Sequence, residues 1–291
     1  DQGVRNAVNA PGVLKGQAEH GGAQTIVRAG VKEHAAAQSL EGAVPPELTL
    51  RMAADLIAED AESLAALHDR ELTRDLIAAL HEAKFPDCLG LLPASREVAV
   101  AWRAMRDELA RLPATPDMDV MDDLAAEYAA IYLTGAYGVS PCESFWTDDD
   151  HLVCQTSMFQ LRTIYTAAGL AATDWRQRPD DHLVLQLLYI AHAARQASSR
   201  EDWHALARVL DEHPLRWIND FAARIATRSR SRFYAELAVL TATWLDTFRD
   251  LLMRQLGEPR PSRTEIEERL KPKVKTVEQP VAFMPGCGPS W

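Results

Sequence analysis

The stretch Phe233–Leu256, FYAELAVLTATWLDTFRDLLMRQL, decides the fold class. Leu237, Leu240, Trp244, Phe248 and Leu251 recur at intervals of three and four, which lines one face of an α-helix. Working back from it, Leu183 to Gln196 and Glu201 to Arg228 carry the same period, the second interrupted at His213-Pro214. Cys154 to Ala168 is a further helix with Gly169 as its C-cap. Met121 to Thr134 places Leu124, Tyr128, Ile131 and Tyr132 on adjacent turns, and Ser95 is an N-cap for a helix through Leu112. Glu47 to Ala83 is helical in two parts, closed by Phe85-Pro86-Asp87. No internal repeat and no convincing strand pair emerges. The expectation is one all-α globular domain over residues 45–256.

Two loose ends flank it. Residues 1–44 are rich in Gly, Ala, Gln and Asn and read as a weakly ordered extension with a short helix near Ala23 to Ala36. From Gly257 six prolines make a mostly extended C-terminal tail over 257–291, with a short helix at Ser262 to Leu270. It ends Pro-Gly-Cys-Gly-Pro-Ser-Trp.

The chain has 291 residues, is 47% hydrophobic and carries a formal charge of -11, so it buries a real core and disfavours a nucleic-acid partner. Fourteen glycines are few for a β-rich or phosphate-loop protein. Four cysteines, none spaced Cys-x-x-Cys, read as reduced thiols. With no membrane-length apolar run and no signal pattern, the expected location is the cytoplasm, without stable membrane insertion.

Two segments carry candidate chemistry. Arg178-Pro179-Asp180-Asp181-His182 opens an apolar helix. In one reading a carboxylate caps that helix. In the other, one Asp caps it while its neighbour and His182 face a groove and accept hydrogen bonds from an arginine-bearing peptide. Ser140-Pro141-Cys142-Glu143-Ser144-Phe145-Trp146 is either a turn plugged by its aromatics or one wall of an apolar peptide groove with Glu143 as a further acid. Cys142, His151 and Cys154, with His81 and Cys88 elsewhere, lack a fourth ligand at zinc spacing. There is no Gly-x-Ser-x-Gly elbow and no phosphate-binding loop, so no catalytic residue and no cofactor is expected.

These landmarks come in an order that resembles the TorD/DmsD family of chaperones for molybdoenzyme maturation, with NarJ-type nitrate reductase chaperones as distant relatives. The helix Glu127–Leu133 leads into Ser140-Pro141-x-x-Ser144, followed by Tyr165-x-x-x-Gly169-Leu170, Pro179-x-Asp181-His182, His213-Pro214-x-x-Trp217 and Phe233-Tyr234. The resemblance covers roughly Glu47 to Leu256. It implies an all-helical, non-enzymatic protein, monomer or homodimer. Its partner would be the apo catalytic subunit of a molybdenum-dependent oxidoreductase, bound through a twin-arginine signal peptide until cofactor insertion and export. Asp181, His182, Pro141 and Ser144 then fall at the peptide-binding region, joined on the residue reading by Pro179, Asp180, Glu143 and Trp146. Two alternatives stay open: a chaperone that binds the client body without reading a leader, and a metal- or nucleotide-dependent enzyme. Guanine-nucleotide binding is attributed to some members, but nothing in this chain resembles a nucleotide loop. Cys142 stands where the family usually has another residue, and both ends exceed the compact family domain.

Overall fold

The computed structural model describes residues 12–14 and 46–271. The helix expected near Ala23 to Ala36, the bulk of the extension 1–44, and the tail beyond 271 with Cys287 lie outside the described residues. Eleven α-helices appear among the described residues. They are α1 Pro46–Asp69, α2 Arg74–Glu82, α3 Val98–Arg111, α4 Met118–Tyr128, the one-turn α5 Ser144–Thr147 and α6 Thr156–Ala167. They continue as α7 Leu183–Gln196, α8 Arg200–Glu212, α9 Ile218–Arg228, α10 Arg232–Leu256 and α11 Arg263–Leu270. The domain is all-α, as its periodicity predicts. No described helix is long and apolar enough to cross a membrane.

The long α10 is the spine. It packs against α1, α3, α8 and α9, while α1 and α7 form the most extensive helix pair. Leu237, Leu240, Trp244 and Phe248 are fully buried, as their spacing predicts; on the last turns Leu252, rather than Leu251, takes the innermost place. Gly257, at φ +68, ends the helix. Trp203, Trp217, Phe221, Phe233 and Tyr234 complete the main core. A small second cluster joins Leu161, Tyr165, Leu170 and Leu185.

Several buried polar groups are matched across long sequence distances. Asp60 accepts from Trp244 Nε1 at 2.9 Å and from the amides of Gly90 and Leu91 at 2.7 and 2.9 Å. Even so, burial raises its carboxyl to about 6. Thr241 gives its hydroxyl proton to Leu237 O, so it accepts from His68 Nε2 at 2.9 Å, and His68 Nδ1 accepts from Tyr132 Oη at 2.6 Å. That neutral tautomer suits a ring whose pKa burial lowers to about 3. Arg249 meets Asp211 through Nε and Nη2 at 2.9 Å, both side chains buried.

Three local features depart from the sequence reading. The helix expected over Met121 to Thr134 begins at Met118 and changes at Ala129–Leu133 to a π-helical turn, which stacks Tyr128 on Tyr132 at 4.7 Å. A strand pair exists: β1, Gly12–Leu14, runs parallel to β2, Leu170–Ala172. Pairing partners so distant leave no periodic trace in either three-residue segment. Finally, residues 257–260 are held to the body. Arg260 donates to Asp246 at 2.6 Å and Asp250 at 2.8 Å, and Arg249 to the carbonyl of Pro259 at 3.4 Å. The chain divides into Asp1–Arg260 and Pro261–Trp291. In the second part α11 is opened by a capping box between Ser262 and Glu265.

Candidate functional site

The two segments singled out in the sequence meet. After the π turn the chain bends at Gly138, where φ is +62 and a Cβ would lie 3.1 Å from Arg228 Nη1, so only glycine fits there without displacement. Arg224 and Arg228 of α9 donate to the carbonyls of Gly138 and Tyr137 at 3.0 and 2.7 Å and pin this bend. Beyond it, residues 141–143 run antiparallel to residues 181–183. Leu183 N donates to Pro141 O at 2.8 Å and Glu143 N to Asp181 O at 3.1 Å, with Cys142 opposite His182.

The side chains lock this short ladder from within. Asp181 is wholly buried; its Oδ2 accepts from the Ser144 amide at 2.8 Å and from the Ser144 hydroxyl. Burial raises its carboxyl against the pull of those two bonds. Glu143, also wholly buried, accepts from His213 Nδ1 at 3.2 Å, Gln186 Nε2 at 3.2 Å and Arg216 Nη1 at 3.5 Å. Gln186 Nε2 also donates to Asp181 O at 2.9 Å. Asp180 is buried against Arg162, whose Nε and Nη2 reach Oδ2 at 3.1 and 2.8 Å. Pro141 and Ser144 are buried, and Pro179 is half-buried with its carbonyl accepting from His182 N.

This arrangement corrects the expected division of labour before α7. Neither aspartate caps the helix: the cap is His182, whose Nδ1 accepts from Val184 N at 3.1 Å. Asp181 points back to Ser144 instead, because its carbonyl is already committed to the ladder. Burial, helped by Arg178, lowers the His182 imidazole to about 3, so it remains a neutral acceptor. A groove-facing Asp181, His182 and Glu143 that accept from an incoming arginine directly are not what the fold holds.

The outer side of the same segment is different. Trp146 is half-buried; its Nε1 donates to Ser140 O at 2.8 Å and Arg224 lies 4.8 Å over its ring. Its free side lines a cavity of about 520 Å³ with His151, Asp220, Arg224, Thr227 and Arg228. Asp148 Oδ2 accepts from the amides of Asp150 and Leu152 at 3.1 Å, shaping a turn that leaves Asp149 and Asp150 exposed. His151 donates from Nδ1 to Phe145 O at 2.8 Å and stacks on that ring. Leu152 and Val153 follow, about half exposed, then Phe159 and Trp175, 55% and 42% exposed. The Arg162 guanidinium lies 5.0 Å from the Trp175 ring and 5.5 Å from that of Phe159. Sequence reasoning missed these four apolar residues. The available signal was the placement of Leu152-Val153 directly after three aspartates, outside any helical period.

Cys142 is buried within the ladder, where burial drives its thiol up and keeps it protonated. Among the described residues no group of three or more His, Cys, Asp or Glu side chains is placed to hold a metal ion.

Residues 93–223 match the family model of the nitrate reductase delta subunit. Curated relatives include the chaperone protein TorD of Shewanella loihica, 24% identical over 62% of this chain and 86% of the relative. TorD of Vibrio cholerae is 26% identical over 62% and 85%. The probable Tat proofreading chaperone DmsD of Haemophilus influenzae is 29% identical over 35% and 47%. The matched span runs from before α3 into α9 and takes in the ladder, its buried carboxylates and the exposed turn. Over this span the chain is similar to the TorD and DmsD chaperones.

Proposed function

We propose that this protein is a maturation chaperone for the catalytic subunit of a molybdopterin oxidoreductase and that it holds its client's twin-arginine leader until the cofactor is in place. The observation that carries the leader reading is the exposed outer strip of sequence, the acids Asp149-Asp150 followed along the chain by apolar Leu152, Val153 and Phe159, with Trp175 sharing the Arg162 guanidinium with Phe159. A twin-arginine leader has the complementary order, a basic start and an apolar middle. Its apolar part supplies most of the affinity by leaving water, and the acids add specificity and association rate. The buried residues of the ladder, Asp181, His182, Glu143, Ser144 and Pro141, act as positioning residues that hold the strip in shape, with Asp180 and Pro179 beside them and Trp146 at the border.

Calorimetry with a leader peptide and its Arg-to-Lys counterpart tests this reading. Micromolar or tighter binding, weakened by lysine, is the expected result, because guanidinium reads carboxylates in a forked geometry that ammonium lacks. Absence of binding to both peptides removes it. A second reading, for a chain whose middle part matches the nitrate reductase delta subunit model, is a chaperone that grips the client body. Equal binding of a client with and without its leader distinguishes it.

A further inference from the structure

β2 is three residues long, and β1 is its sole sheet partner among the described residues. Its existence has a local cause. Gly169, at φ +72, ends α6 and turns the chain into extended geometry. Leu170 is then buried in the second core cluster, while Ala171 is exposed. That period of two leaves the strand's backbone donors and acceptors pointing sideways, where only another extended segment satisfies them. The segment that does so comes from the far N-terminal side: Gly12 pairs with Leu170, Val13 with Ala171 and Leu14 with Ala172. About 30 residues of chain separate Leu14 from α1.

We propose that the edge of β2 is a docking edge for an extended apolar segment and that Gly12–Leu14 of this same chain is its resident, displaceable occupant. A three-residue ribbon is marginal by itself, so the resident exchanges readily. The parallel register fixes its direction within the ribbon: Gly12 to Leu14 runs the way Leu170 to Ala172 runs. The resident offers a glycine and two aliphatics followed by Lys15. A competitor therefore needs small or aliphatic residues in an extended run with a basic neighbour. The mode is strand addition, where backbone bonds give affinity and side-chain fit gives selectivity. Taking the client leader as that competitor rests on the reading above; the dock itself does not.

The test uses the full chain carrying Val13→Pro with Leu14→Pro, which removes whichever of these two adjacent amides faces β2. Hydrogen exchange at Leu170–Ala172 should be about threefold to tenfold slower in the unchanged protein than in the variant, and slowed again when a synthetic peptide of residues 8–18 is added to the variant at millimolar concentration, with the melting temperature unmoved. Exchange that stays slow in the variant, or that the peptide does not slow, overturns the dock. Leader peptide should bind the variant roughly threefold to tenfold tighter than the unchanged protein, since a tethered occupant reduces the competent fraction. Equal affinity overturns the competition. Binding to neither form removes the leader reading, while the exchange result decides the dock by itself.

Discussion

The inner and outer faces of residues 140–182 use the same residue types for opposite ends. Inside, Asp181 and Glu143 have no exposed surface; Asp181 spends Oδ2 on Ser144, and Glu143 spends its oxygens on His213 and Gln186. Outside, Asp149 and Asp150 face water beside half-exposed Leu152 and Val153. A carboxylate is thus a buried strut or a solvent-facing charge according to which way its turn points it. Substitutions on the inner face should register as lost stability, and those on the outer face as lost binding.

The largest effect should come from Asp181→Ala. It leaves the buried amide and hydroxyl of Ser144 without an acceptor, a loss of about 2–4 kcal/mol. Urea unfolding measures it, and Asp181→Asn, which keeps one acceptor, should lose much less. If Asp181→Ala unfolds like the unchanged protein but no longer binds leader, the inner face is a binding face and the comparison breaks.

A second effect is the pH dependence of the interior. His68 has a folded pKa of about 3, so below the unfolded value of 6.5 only the unfolded chain takes the proton. Stability is lost as pH falls from 6.5 toward 3, by about 1.4 kcal/mol per unit. Asp60, raised to about 6 from 3.8, has the opposite sign: the folded chain holds the extra proton, so stability is gained as pH falls from 6 to 4. Asp60 thus offsets one of the two buried histidines in that window, since His182 is likewise lowered to about 3. Asp60→Asn should therefore steepen the acid loss and His68→Gln should lessen it, as thermal melts at pH 4, 5 and 6 would show. Substitutions on the outer strip should leave the profile where it is.

Smaller still, Phe159→Ala or Trp175→Ala should weaken leader binding about tenfold while stability moves within about 0.5 kcal/mol. The smallest is Asp149→Asn with Asp150→Asn. It should weaken leader binding by a factor of about three at low salt and by nothing measurable at high salt, since exposed charges are screened. Calorimetry at two ionic strengths reads it; a salt-independent loss would mean that these acids are structural too.

The sequence made the fold class legible because α10 and α7 repeat at helical intervals, and the observed α7, Leu183–Gln196, has the expected bounds. It also made legible that the Ser-Pro and Asp-Asp-His segments belong together. It did not tell which side of them faces water. The partners that decide this are far along the chain: Ser144 is 37 residues from Asp181, and His213 is 70 from Glu143. The cap at His182 was hidden because an aspartate beside it is the better capper by type, and only the ladder diverts Asp181 to Ser144. The π turn was hidden because Tyr128 and Tyr132 keep ordinary helical spacing. Phe159 was missed because it sits next to buried Met158, and only the position of α6 on the body turns one inward and the other out.

Arg162 joins the two faces. Its guanidinium is bonded to buried Asp180 and lies against both Phe159 and Trp175. A cation resting on an indole alters its emission, and any guest that covers the Trp175 ring must share it with Arg162 or push the arginine back toward Asp180. The protein therefore carries a built-in optical gauge of occupancy, wired by one side chain to the root of α7.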